Sequence, residues 1–372
     1  MGNFKISHSF IFLLSQIGVL AITFSCSNDP DKVFPSKNWI RNSPQELGVD
    51  EKVLEKALDY LASQSNSDKN EEVLIIRNGE VIFEGDSISN SHNIYSCTKG
   101  FTSLVMGLLA DEGKLNLDDK VYQVIPELRH FYPNITWKHF ATMTSGYSAK
   151  GISRWEAENS DWSWTPFQPD TAHFPPGTQY EYWDEAQMMF GKGLTLVAGK
   201  SMKRYLDEKV MNEIEFGDWN WGTEQDSSTN IPINNGCTGI QINAEQLARI
   251  GYLFLNEGNW NGKQLIHRNF VKDALSVQVP ESLPVFEGER KSARGSGSYG
   301  FNWWVNSENG MSKMPSAPAK TAYLSGLNHN MCFVIPEWDM VIVRMGDDKN
   351  PDLPKHEVWD RFFNILKAGI EQ

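Results

Sequence analysis

The sequence predicts an α+β protein in which strands from both ends of the chain form one antiparallel sheet. Residues 73–84 contain two β-rich runs joined by Asn78-Gly79, the dipeptide that most strongly indicates a tight hairpin. Residues 331–345 contain a second pair of β-rich runs, and residues 299–305 have the composition of a further strand. Strands and helices do not alternate regularly along the chain, so a parallel sheet is not expected.

Helices are expected on both sides of these strands and through the middle of the chain. Asp50 is placed to cap an amphipathic helix, and a second one closes the chain at residues 358–370. These two helices would flank the sheet. We therefore expect a sheet lobe formed by about 46–95 and 296–372, with a mostly helical lobe of about 96–295 inserted into it.

The composition indicates a globular protein with a large core and an acidic surface. The chain has 372 residues, of which 40% are hydrophobic, and its formal net charge is −13. Negative charge argues against nucleic acid and anionic membranes as partners. Composition predicts neither the oligomeric state nor the substrate.

Residues 1–26 have the features of an export signal. Lys5 precedes an apolar run that is shorter than the roughly 20 residues needed to span a bilayer. The run ends at a serine before Cys26, and the polar stretch that follows makes this point similar to a bacterial lipoprotein processing site. We expect lipidation of Cys26, a tether at 27–45 and a domain at 46–372, in an exported cell-envelope protein. Plain secretion and an uncleaved anchor remain open.

The cysteines do not predict a metal site or a disulfide framework. Cys97, Cys237 and Cys332 are widely spaced, and the chain has no C-x-x-C pattern and no Cys/His ligand spacing. No metal and no cofactor is therefore expected.

A nucleophile is indicated by the pair Ser96 and Lys99 at the start of a predicted helix through Gly113. Residues three apart lie on one face of a helix, so an ammonium would lie beside the serine hydroxyl. Gly100, Ser103 and Gly107 would form a small-residue stripe for close packing. The alternative is an ordinary N-cap serine followed by a solvated lysine.

Further segments of the middle combine short helices with glycine-rich turns. They are residues 135–147, 175–184, 236–249 and 256–266. The first contains Thr144-Ser145-Gly146, and the second contains Tyr182-Trp183-Asp184 and leads into a helix near Glu185. Together with S-x-x-K, these segments resemble the superfamily of serine β-lactamases, penicillin-binding proteins and esterases. The class C branch, which includes family VIII esterases and 6-aminohexanoate-dimer hydrolases, is the most similar.

This resemblance implies the roles of the site residues. Ser96 would be the acyl-accepting nucleophile, and Tyr182 would take its proton while Lys99 stabilises the phenolate. A neutral Lys99 acting as the base is the rival assignment. The N–H groups of Ser96 and Leu327 would form the oxyanion hole, next to Ser325 and Gly326 in the substrate-binding strand.

Asp184 is the first departure from the family pattern, because the family has asparagine there. A carboxylate only accepts hydrogen bonds, so it cannot serve both polarities of an amide substrate. We expect Asp184 to hold Lys99 as an ammonium and to favour the tyrosinate mechanism. The alternative is a helix N-cap aspartate.

The second departure lies in Leu324-Ser325-Gly326, where the family has a lysine or histidine in the place of Leu324. The loss of that charge weakens the interpretation as a β-lactam hydrolase or D-Ala-D-Ala peptidase. His329 could line the pocket or be a structural histidine. The aromatic residues within 155–183 could form a stacking platform or pack the helical lobe.

The leading hypothesis is an exported serine hydrolase that cleaves an ester or a small amide through an acyl-enzyme. One alternative is a β-lactam hydrolase or D-amino-acid peptidase of the same fold. Another is a binding or sensor protein that is acylated without turnover or has no chemistry. A Ser-His-Asp hydrolase is not expected, because the chain has no G-x-S-x-G elbow.

Overall fold

A computed structural model describes residues 1–2, 32–151, 165–287, 293–306, 312–346 and 355–370. The chain divides into Met1–Asp31 and Lys32–Gln372, and every helix and strand below belongs to the second unit. The predicted signal peptide, Cys26 and most of the tether lie outside the described residues. In the described ranges, no helix combines the length and the apolar character that crossing a bilayer requires.

The helices and strands are numbered in chain order over the described residues. The helices are α1 Glu51–Ser63, α2 Thr98–Asp111, α3 Trp137–Ala141, α4 Asp184–Ala198, α5 Met202–Leu206, α6 Ala244–Leu255, α7 Arg268–Ala274 and α8 Lys355–Leu366. The strands are β1 Val73–Arg77, β2 Glu80–Glu84, β3 His92–Asn93, β4 Asn220–Trp221, β5 Thr223–Glu224, β6 Ile233–Asn234, β7 Ile240–Ile242, β8 Asn259–Trp260, β9 Lys263–Gln264, β10 Trp304–Val305, β11 Ala322–Ser325, β12 Met331–Ile335 and β13 Met340–Arg344.

The main sheet joins the two ends of the chain, as the sequence predicts. Within the described residues it has six strands in the order β10-β11-β12-β13-β1-β2, with antiparallel pairing throughout. The β1–β2 turn has positive φ at both Asn78 (52°) and Gly79 (86°), which is the backbone that a two-residue hairpin requires. The α+β fold class is therefore confirmed.

Both faces of the sheet are buried, because helices cover each of them. Alternate side chains of β1 enter different clusters of buried apolar residues: Leu74 and Ile76 lie on one side, Val73 and Ile75 on the other. The second side is covered by α1 and α8. The Asp50 carboxylate caps α1 by accepting from the backbone N–H of Val53 at 3.0 Å, as predicted.

The predicted strand at 299–305 is wrong over most of its length. Only Trp304–Val305 pairs with β11, because the preceding residues turn back on themselves: the Gly300 N–H donates to the Trp303 carbonyl at 2.8 Å. Asn302 has a φ of 60° and donates its side-chain amide to Gln187 at 2.9 Å. This contact with α4 is long-range, so the local pattern does not contain it.

Helix α2 lies at the centre of the molecule and is buried along almost its whole length. The predicted small-residue stripe is used for close packing. A Cβ placed on Gly100 would lie 2.6 Å from a Leu324 methyl carbon, and one on Gly107 would lie 2.5 Å from Ile266 and Phe270. The side chain of Leu324 therefore points onto α2, into the core.

Candidate active site

Ser96 lies in a short 3-10 turn, Tyr95–Cys97, that leads directly into α2. The turn has a strained start, since Tyr95 has a φ of 48°, a left-handed value that is uncommon outside glycine. Its N–H donates to the Asn93 side chain at 2.8 Å, which holds this conformation. The N-cap of α2 is Cys97, without a side-chain cap, so the interpretation of Ser96 as an ordinary N-cap is wrong.

Lys99 is fully buried, and its ammonium lies among hydrogen-bond and ion-pair partners. Nζ donates to Ser96 Oγ at 3.1 Å and to the Cys237 carbonyl at 3.4 Å. It also lies 2.6 Å from Asp184 Oδ1 in an ion pair, and the Lys99 side chain is only 1% exposed. The interpretation of Lys99 as a solvated lysine is therefore wrong.

Tyr182 completes the group from the helical lobe. Its phenol is hydrogen-bonded with both Ser96 and Lys99, and the Lys99 ammonium lies 4.7 Å from the ring centroid. Trp304 of β10 stacks on the ring, with centroids 5.7 Å apart. The serine, the ammonium and the phenol that the sequence predicted to be catalytic therefore lie in one hydrogen-bonded set.

Asp184 is the first residue of α4 and is buried together with its partner. Trp183 is the residue at the N-cap position and makes no side-chain cap. The N-cap interpretation of Asp184 is wrong, since its carboxylate is directed to Lys99. The positive end of the α4 dipole also favours a carboxylate at this position.

The protonation states follow from these contacts. Burial opposes the charge on Lys99, but the Asp184 carboxylate and the other acceptors around the ammonium outweigh it, so the pKa of the Lys99 ammonium lies well above its ordinary value. Burial also raises the pKa of the Tyr182 phenol above its ordinary value; the Lys99 charge opposes that rise and the Asp184 charge adds to it. Lys99 is thus charged and Tyr182 neutral at rest.

The Asp184 charge acts on both partners. It favours the ammonium form of Lys99, in the expected direction. On Tyr182 it opposes the stabilisation that Lys99 gives to a phenolate and raises the pKa of the phenol, which is the opposite of the expected direction.

The strand that contains the predicted substrate-binding motif ends beside the turn that carries Ser96. Ser325 ends β11, and Gly326 lies against the turn of Ser96: a Cβ on Gly326 would be 2.3 Å from the Ile94 carbonyl oxygen. The side chain of Leu327 is 61% exposed. The Gly326–Leu327 peptide is thus near the Ser96 turn, and its oxyanion role stays a prediction.

His329 is a structural histidine, not a pocket residue. It is 1% exposed, and its Nε2 accepts a hydrogen bond from the Trp359 indole at 3.1 Å. His329 therefore packs inside the sheet lobe. The alternative of a pocket-lining His329 is wrong.

The described aromatic residues of this segment are buried, as are Phe174, Tyr180 and Tyr182, or partly buried, as are Phe167 and Trp183. Phe174 and Tyr180 are 3% and 0% exposed, so neither can act as a stacking platform. Trp155, Trp162 and Trp164 lie outside the described residues. The His173 ring stacks on Phe286 with centroids 5.2 Å apart, a contact between two loops that the sequence does not indicate.

Two groups beside Lys99 and Tyr182 leave no signal in the sequence, namely the Cys237 carbonyl and the Trp304 ring. A backbone carbonyl has no residue-type pattern. The strand-like run at 299–305 does not indicate that Trp304 stacks on Tyr182. In the part of the chain that the structure describes, no group of three metal-ligating side chains occurs, and Cys97, Cys237 and Cys332 are buried.

A family model described as Beta-lactamase matches residues 73–362. The chain belongs to the Beta-lactamase family. This is the family that the motifs resemble. The fold and family predictions are therefore confirmed.

Relatives agree with this assignment. The chain is 22% identical over 322 residues to a 6-aminohexanoate-dimer hydrolase of Paenarthrobacter ureafaciens, covering 80% of this chain and 76% of that protein. It is 26% identical over 164 residues to Protein flp of Staphylococcus aureus strain MW2, covering 39% of this chain. The match spans only 33% of the length of Protein flp.

Solved structures share the fold at low identity. A penicillin-binding protein homologue from Caulobacter crescentus superposes with a TM-score of 0.65 at 15% identity, covering 90% of this chain and 99% of the other. EstCE1, a hydrolase with promiscuous acyltransferase activity, superposes with a TM-score of 0.64 at 14% identity, covering 86% and 99%. These similarities establish the fold and do not identify the substrate.

The effect of the Asp184 charge on the pKa of Tyr182 can be tested by mutation. Replacement of Asp184 by asparagine should lower the pKa of the Tyr182 phenol, because the carboxylate that repels a phenolate is removed while an ammonium can remain at Lys99. The measurement is a pH titration of ¹³Cζ-tyrosine by NMR, with Tyr182→Phe to assign the signal.

Glu181→Gln is the matched control, since it neutralises a buried carboxylate that pairs with His173 at 2.8 Å and not with Lys99. It should leave the Tyr182 titration in place. An unchanged or higher pKa of Tyr182 in Asp184→Asn would show that the Asp184 charge does not reach the phenol.

Proposed function

We propose that this protein is a serine hydrolase that cleaves an ester or a small amide through an acyl-enzyme on Ser96. The observation that carries this proposal is the hydrogen-bonded set of the Ser96 hydroxyl, the Lys99 ammonium and the Tyr182 phenol. A serine needs a neighbouring group that removes its proton as it attacks a carbonyl carbon. Here two candidate groups contact the same hydroxyl.

The protonation states restrict how the serine proton can move. Tyr182 holds its own proton at rest, so it can accept the Ser96 proton only as it passes its own proton on. Lys99 is hydrogen-bonded to the Tyr182 phenol. Its ammonium can accept a proton from Tyr182 only as it releases one of its own protons to Asp184, 2.6 Å away. We infer a relay from Ser96 through Tyr182 and Lys99 to Asp184, which ends with one proton on the carboxyl group. A shorter route, from Ser96 directly to Lys99, uses the same acceptor.

The surroundings of these groups favour one class of substrate. Leu324 is buried against Gly100, so the position that carries a lysine or histidine in the resembled superfamily has no charge. This favours an ester or amide without a required carboxylate over a β-lactam or D-Ala-D-Ala peptide. The relative named 6-aminohexanoate-dimer hydrolase and the structural neighbour named as a hydrolase support hydrolysis of such bonds.

The direct test is covalent labelling of Ser96. A fluorophosphonate probe should label the wild type and not Ser96→Ala, and p-nitrophenyl acetate should give a burst followed by turnover. Ser103→Ala is the matched control, because Ser103 is a buried serine on α2 whose hydroxyl has no hydrogen-bond partner among the described residues. It should label as the wild type does.

The other outcomes favour the alternative functions. A burst without turnover would favour a protein that is acylated as a sensor. Efficient hydrolysis of nitrocefin would favour a β-lactam hydrolase. Equal labelling of Ser96→Ala and the wild type would contradict the proposal.

We also propose that the chain is exported and anchored to the cell envelope through a lipid on Cys26. The support is the sequence pattern of residues 1–26 alone. Expression of the full chain with an alkyne fatty acid in a bacterial host should give a lipid-labelled protein, and Cys26→Ser should remove the label. Labelling that persists in Cys26→Ser would contradict this assignment.

A further inference from the structure

The loop after β11 is fastened to the turn that carries Ser96. The Gly326 N–H donates to the Asn330 carbonyl at 2.7 Å, and the same carbonyl accepts from Cys97 Sγ at 3.3 Å. The Asn330 side-chain amide donates to the Leu327 carbonyl at 2.8 Å and to Asn93 at 3.4 Å. Backbone and side-chain contacts thus hold the Gly326–Leu327 peptide near the residues that flank Ser96.

A cation from the other end of the chain contacts this peptide. Lys355 is the first residue of α8, and among its contacts its ammonium donates to the Gly326 carbonyl oxygen. The Lys355 charge also acts on Cys97, which follows Ser96 in the chain. Burial raises the pKa of the Cys97 thiol to about 12, and the ammonium groups of Lys355 and Lys99 oppose this rise.

In a trans peptide, the direction of the carbonyl determines the direction of the N–H. The Gly326 carbonyl and the Leu327 N–H belong to one planar unit and point in opposite directions, and the described peptide bonds are all trans. An ammonium on the carbonyl oxygen therefore fixes the direction of the N–H. It also polarises the peptide, which makes the N–H a stronger donor.

We propose that Lys355 is a positioning residue for the oxyanion donor: its ammonium orients and polarises the Gly326–Leu327 peptide, whose N–H receives the negative charge of the tetrahedral intermediate. This inference rests on the proposed hydrolase function. As Ser96 Oγ bonds to the substrate carbonyl carbon, the C=O electron pair moves to the oxygen, and a donor held in advance stabilises that charge without reorganisation. Lys355 itself does not touch the substrate.

A purely structural role for Lys355 would be to anchor α8. That helix already buries a set of large apolar side chains against the sheet. They are Val358, Trp359, Phe362, Phe363 and Leu366. The fold therefore does not need the Lys355 contact to hold α8, and replacement of Lys355 should leave the protein folded.

The test compares Lys355→Met and Lys355→Arg with the wild type in the full chain. Removal of one oxyanion donor typically lowers the rate about 100- to 1000-fold. Lys355→Met only weakens such a donor, so the effect should be smaller. We expect fluorophosphonate labelling of Ser96 to slow about tenfold. Binding of phenylboronic acid, whose tetrahedral adduct places an oxygen anion at the same donor, should weaken by a similar factor. Lys355→Arg keeps the charge and should restore both values.

Lys367→Met is the matched control, because it removes a lysine charge from an exposed position just after α8. It should change neither the labelling rate nor boronate binding. Thermal unfolding of each variant separates a loss of fold from a loss of positioning.

Two results would overturn the inference. One is an unchanged labelling rate and boronate affinity in Lys355→Met. The other is a lower melting temperature in Lys355→Met together with slow labelling that Lys355→Arg does not restore. Both results leave the dependence of labelling on Ser96 intact, whereas equal labelling of Ser96→Ala and the wild type would refute the proposed function itself.

Discussion

The buried ion pair between Lys99 and Asp184 is the interaction on which the rest of the site depends. A fully buried ammonium without a counter-charge would cost several kcal/mol, and the carboxylate 2.6 Å away offsets part of that cost. The pair also joins two parts of the chain. Ser96 comes three residues before Lys99, and Tyr182 comes two residues before Asp184, so one contact between α2 and the start of α4 brings all four groups together.

The sheet lobe supplies the remaining walls of the site. Trp304 of β10 stacks on the Tyr182 ring, and Gly326, after β11, lies against the carbonyl of Ile94. Strands β10 and β11 belong to the same six-stranded sheet as β1 and β13, which pair with each other from opposite ends of the chain. The site is therefore a product of long-range pairing. The sheet positions the Gly326–Leu327 peptide, and the turn that leads into α2 positions Ser96.

The sequence contains the local part of this arrangement and lacks the tertiary part. The Asn78-Gly79 hairpin, the Asp50 cap and the small-residue stripe of α2 follow from backbone chemistry and spacing, and the structure has all three. The S-x-x-K pair and Tyr182 could be found because the motifs resemble a known superfamily. The turn at Asn302 and the contact of Lys355 with Gly326 could not be predicted, because their partners are distant in sequence and no spacing marks them. The direction of the Tyr182 pKa was also beyond the pattern, since it depends on the summed charges of a buried group.

The most direct test of this account is the protonation state of Lys99. A pH titration of ¹³Cε-lysine by NMR, with Lys99→Arg to assign the signal, should show Lys99 releasing its proton at a higher pH than the main group of lysine signals. In Asp184→Asn the same signal should titrate at a lower pH than in the wild type. A Lys99 signal that titrates below the main group in the wild type, as expected for a neutral amine at rest, would contradict the central role of the ion pair.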